Sequence, residues 1–105
     1  MSDAIVILCT APDAETGERL GRGLVEARLA ACVNVIPGLT SIYRWKGEIH
    51  VDREVQLLVK TRAELGAQAR EWLRAHHPYE VPEMLELAVD GGSEAYLSWL
   101  REQVG

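Results

Sequence analysis

At 105 residues, 48% hydrophobic and 26% charged, the chain has the composition of one soluble globular domain spanning 1–105. A net charge of -5, with the 11 basic residues scattered, argues against nucleic-acid binding, which needs clustered Lys and Arg. No apolar run is long enough to cross a bilayer and the opening Met-Ser-Asp is not a secretory leader, so the expectation is a cytoplasmic protein, without membrane insertion, whose two cysteines are reduced thiols.

Residues 4–9 form a continuous apolar run that predicts a strand buried on both faces. Asp13 then reads as the N-cap of a helix reaching about Arg28, with Leu20, Leu24, Ala27 and Ala31 as its apolar stripe. Gly17, Gly21 and Gly23 weaken that helix by about 1 kcal/mol each relative to Ala, unless close packing requires them. Residues 32–45 predict a second strand, with a bulge or bend at Pro37-Gly38 and a Lys46-Gly47 turn after it. In the third strand Ile49, Val51, Val55, Leu57 and Val59 share one face, interrupted only by Arg53, and His50, Asp52, Glu54, Gln56 and Lys60 share the other.

Thr61 and Glu64 fit a capping box opening a second helix, which Pro78 ends. Leu65, Ala69, Trp72, Leu73 and His76 lie on one of its faces. Residues 84–89 predict a fourth strand, and Ser93 caps a last helix over 95–103. The order βαββαβα predicts an α+β, ferredoxin-like βαββαβ sandwich with a C-terminal helix. Its antiparallel sheet has the order 4-1-3-2, with both main helices on one face.

Strands two and three, at about 13 residues each, reach roughly 43 Å, twice the length of their neighbours. A long two-stranded hairpin is marginal alone and its edges invite pairing, so it predicts a ring of subunits anchored by Tyr43 and Trp45. The alternative is a hairpin that bends back on its own body at Pro37-Gly38.

Six stretches resemble the CutA family of divalent-cation tolerance proteins: Cys9-Thr-Ala-Pro-Asp13, Leu29-Ala-Ala-Cys-Val-Asn34, residues 36–48 from Ile36-Pro-Gly to Lys46-Gly-Glu48, Glu54-Val-Gln-Leu-Leu-Val-Lys-Thr61, His76-His-Pro-Tyr-Glu-Val-Pro-Glu83 and Tyr96-Leu-Ser-Trp-Leu100. The resemblance covers essentially the whole chain. It implies a cytoplasmic homotrimer, similar in architecture to PII signalling proteins, with a role in tolerance of copper and other divalent ions. It also implies a copper site at Cys9, Cys32 and His76.

Thiolate and imidazole suit copper, but the spacing is no compact ligand motif. In the expected topology Cys9 and the end of the second helix share one end of the sheet. Cys32 lies at the other end, roughly 20 Å away along a six-residue strand, so a single subunit does not gather all three. Buried thiols are also ordinary core residues, and His76 can simply cap its helix. Glu80, Glu83 and Asp90 could form an acidic rim or simply a solvated surface, while Tyr79 with Trp45, and with Tyr43 and Glu83, could line a cleft or interface between subunits, where an unidentified small molecule or partner protein would bind. The leading function implied by the resemblance is a trimeric metal-responsive binding protein, with copper or another divalent metal as its ligand. A PII-like signalling trimer is the alternative. No enzyme is expected, because the chain has no P-loop, nucleophile elbow, Rossmann fingerprint or zinc-protease motif.

Overall fold

The computed structural model describes residues 2–105. It contains β1 (Ala4–Ala11), α1 (Ala14–Glu26), β2 (Cys32–Trp45), β3 (Glu48–Arg62), α2 (Gly66–His76), β4 (Leu85–Ala88) and α3 (Glu94–Gln103). The sheet order β2-β3-β1-β4 is the expected one, and every neighbouring pair is antiparallel.

Odd-numbered side chains of β1 and β3 point to the helix layer. Ile5, Ile7, Cys9, Val55, Leu57 and Val59 pack there with Leu20, Leu24, Ala69 and Leu73. This is the main core, and truncating one of its fully buried leucines to alanine costs about 2–5 kcal/mol. A smaller cluster joins Leu100 and Val104 to Ala4, Ala31 and Leu65. From it α3 reaches the opposite sheet face, where the Lys60 ammonium lies 5.7 Å from the Tyr96 ring centroid.

The glycines of α1 have the packing reason that sequence left open. A Cβ on Gly17 would stand 3.0 Å from Val55 and one on Gly21 3.1 Å from Val33, so the helix lies closer to the sheet than alanine allows. Asp13 caps α1 by accepting the Thr16 N–H at 2.7 Å. The helix stops at Glu26, short of the expected Arg28, which takes φ 60° instead. That left-handed exit is held from the far end of the chain. The Arg28 guanidinium donates to the carbonyls of Gly105 and Glu102 at 2.9 and 3.2 Å, and the Gly105 N–H returns a bond to Arg28 at 3.0 Å.

The capping box is not formed. Thr61 is still inside β3, its buried hydroxyl has no partner, and a 3-10 turn over Ala63–Leu65 leads into α2 without a side-chain cap. The pairing of Ala4 with Arg62 extends the strand through the Thr-x-x-Glu pattern, so sheet pairing overrides the local capping preference.

The hairpin overhangs as expected. β1 pairs with β3 only from Val55 to Arg62, leaving 48–54 paired to β2 alone, about 23 Å of ribbon at about 3.3 Å per residue. It does not bend back onto the helices: Ile42, Ile49 and Val51 on its helix-side face are 71%, 66% and 63% exposed. At the tip Lys46 and Gly47 both have positive φ, 51° and 83°, the backbone of a type I′ turn. Between Ile36 and Leu39 the register shifts around Pro37-Gly38, with Gly38 at φ 80°. β2 gains one residue on β3 there, so its odd-numbered side chains face the helices before the bulge and the opposite side after it.

Candidate functional site

Two features meet where β1 ends, beneath the base of the hairpin. The first is a carbonyl, that of Thr10. Cys9 Sγ–H donates to it at 3.6 Å, and His77 Nε2 lies 2.7 Å from it. His77 Nδ1 accepts the Tyr79 N–H at 3.1 Å, which leaves the ring proton on Nε2, aimed at Thr10. Both side chains are buried. Burial, reinforced by the negative charge of Glu83 and Glu54, pushes the Cys9 thiol up to about 12, against a smaller opposing effect of its Thr10 bond. At neutral pH Cys9 is therefore a packed thiol and not a thiolate.

His76, the histidine picked out in the sequence, sits elsewhere. It is exposed at the last turn of α2, its Nδ1 lies 2.8 Å from the Trp72 carbonyl, and its ring stacks on Trp72 with centroids 3.9 Å apart. It acts as a helix-end cap, and its neighbour His77, beyond the last helical residue, is the one that reaches β1.

Cys32 is half-buried and pairs with Lys60, whereas Cys9 pairs with Leu57. The two rungs are three residues apart, about 10 Å at about 3.3 Å per residue. The expected 20 Å along the strand is thus too long, because β2 enters the sheet well inside the end of β1. The conclusion drawn from it stands on other grounds, since β3 lies between the cysteines and they point to opposite faces. Among the described residues, no three His, Cys, Asp or Glu side chains converge to hold a metal. Cys9, Cys32 and His76 do not fit one copper centre within a protomer.

The second feature is a cleft of about 600 Å³ between the hairpin and the loop from α2 to β4. Ser41, Tyr43, Trp45 and Glu54 form the hairpin wall; 78–83, with Tyr79 and Glu83, form the other, and Thr10 closes the end. Tyr43, Trp45, Tyr79 and Glu83, expected at a cleft or interface between subunits, line this cleft within the protomer. Glu54 lies on the polar face of β3, yet it is only 9% exposed. Its Oε2 accepts the Tyr79 hydroxyl at 2.8 Å. Burial first, and then this bond, pushes the Tyr79 phenol above the ordinary tyrosine range. The Tyr43 hydroxyl donates to Asp52, which also holds its proton on. Alternation alone could not identify Glu54 as buried, because the loop that covers it comes 25 residues later.

This combination of hairpin, loop and sheet is shared with known proteins. The sequence matches the family model described as CutA1 divalent ion tolerance protein over residues 5–103. The chain belongs to the CutA1 family. The divalent-cation tolerance protein CutA of Thermus thermophilus is 50% identical over 100 residues, 95% of this chain and 97% of that one. The solved structure of a Thermus thermophilus divalent cation tolerance protein superposes with a TM-score of 0.94 at 49% identity, covering 97% of this chain and 99% of its own. CutA from Xylella fastidiosa superposes with a TM-score of 0.96 at 42% identity, covering 99% and 100%. Membership in CutA1 ties the chain to divalent-cation tolerance, and the ferredoxin-like expectation agrees with these structures.

Proposed function

We propose that this chain is a cytoplasmic, non-catalytic homotrimer that responds to divalent cations and binds copper. Family membership supports the cation role. The observation that carries the assembly is the overhanging hairpin, whose Ile42, Ile49 and Val51 are left exposed on its helix-side face in the protomer. Packing each hairpin against the next subunit in a closed ring buries these side chains and protects the ribbon's edges. Association also offers the missing condition for metal binding. Cys32 is the less buried of the two thiols, so copper enters there and takes its further donors from a neighbouring subunit.

Copper titration of the reduced full-length chain, with light scattering on the same sample, tests both parts. The expected result is a trimer that binds saturably and loses that binding in Cys32→Ser without losing its mass. A monomer, or unchanged copper stoichiometry in Cys32→Ser, overturns the corresponding part of the reading.

A further inference from the structure

Residues 78–83, between α2 and β4, are fastened to the rest of the protomer by very little. Among the described residues none of them forms a main-chain to main-chain hydrogen bond, and Pro78 and Pro82 have no N–H to offer. The Tyr79 N–H turns back to His77 Nδ1, and a single bond, from the Tyr79 hydroxyl to Glu54 Oε2 at 2.8 Å, ties the segment to another element. Both of its ends are fixed. The His77 N–H donates to the Leu73 carbonyl and its ring holds Thr10, while Leu85 pairs with Leu8 in the sheet. Between them Pro78, Glu80, Val81 and Glu83 are exposed, so lifting the segment uncovers little apolar surface.

The segment lies at the end of β1. Thr10 lines one cleft with it, and Cys9 donates its thiol proton to the Thr10 carbonyl that His77 also holds. After burial itself, the negative charge of Glu83, within the segment, does most to raise the Cys9 thiol. Cys9 has no exposed surface, so a solute reaches its sulfur only when part of the protein moves. A segment with two fixed ends and one tertiary hydrogen bond opens far more readily than the packed core of α1, α2 and the sheet, which opens only on global unfolding. We propose that 78–83 is a strap that lifts as a unit while the core stays folded, and that the Tyr79–Glu54 latch sets how often thiol-reactive solutes reach Cys9. The strap is independent of copper at Cys32.

Iodoacetamide labelling of the full chain at about pH 8 tests this, with each cysteine followed by peptide mass spectrometry over urea concentrations below the unfolding transition. Slow labelling of Cys9 at a rate that hardly changes with urea is expected, because lifting the strap exposes little surface. Tyr79→Phe keeps the ring and removes the latch, and it should speed Cys9 labelling about fivefold or more. Ser93→Ala removes the cap of α3, on the opposite sheet face; it should lower global stability and leave the Cys9 rate in low urea unchanged. Urea unfolding followed by circular dichroism verifies that each variant is folded. Cys9 labelling that rises with urea in step with global unfolding, an unchanged rate in Tyr79→Phe, or an equal acceleration in Ser93→Ala overturns the proposal.

Discussion

His77 and Thr10 are 67 residues apart, yet the imidazole Nε2 lies 2.7 Å from the Thr10 carbonyl and ties the end of α2 to the end of β1. His77→Ala removes that bond, leaves the Tyr79 N–H without its acceptor and opens a gap beneath Tyr79. Urea unfolding should show a loss of about 2–3 kcal/mol. His76→Ala, at the exposed neighbour, should cost less than about 1 kcal/mol. Equal costs would contradict the assignment of the two histidines.

Cys9 makes stability fall in alkali. Its thiol titrates near 12 in the folded chain against 9.0 for an ordinary thiol, so the folded state holds the proton more tightly. The resulting stabilisation is complete below the ordinary value and is lost as pH rises from 9.0 through about 12. Denaturant midpoints should therefore drop between about pH 8.5 and about pH 10.5 in the parent protein and drop less in Cys9→Ala. At about pH 8, iodoacetamide should label Cys32 well before Cys9.

Gly23 and Trp72 form a tight contact between α1 and α2, for a Cβ on Gly23 would collide with the indole ring. Alanine normally stabilises a helix interior by about 1 kcal/mol over glycine. Here Gly23→Ala should destabilise, because the ring must leave its stack on His76. In a Trp72→Ala background the same substitution should become stabilising. A sign that does not reverse in the double-mutant cycle would refute this coupling.

Ile42 and Val51 face each other on the overhanging ribbon, pointing away from the cleft residues. Ile42→Asp with Val51→Asp should leave the protomer core untouched and reduce the mass by light scattering to that of the monomer, 11.7 kDa. Far-UV circular dichroism should change little.

Strand order, both N-caps at Asp13 and Ser93, the Lys46-Gly47 turn and the length of the hairpin were legible because each rests on local pattern. The Thr61 cap was misread because long-range pairing of β3 with β1 settles that segment. The candidate site was only half legible. Tyr43, Trp45, Tyr79 and Glu83 are visible as unusual residues near turns, but Glu54 and His77 gain their roles from contacts 25 and 67 residues distant. No periodicity encodes such a contact.

The bulge at Pro37-Gly38 acts like a reading-frame marker for the ribbon. Its one additional residue decides which set of side chains, Ser41, Tyr43 and Trp45 or Thr40, Ile42 and Arg44, shares a face with Glu54. Deleting Gly38 would restore the earlier parity and turn the second set toward Glu54. The chemical character of the cleft is thus set at a position that touches none of its walls, and a single-codon deletion there would exchange the two faces of β2 in the ribbon while β3 keeps its own and every lining residue stays in the sequence.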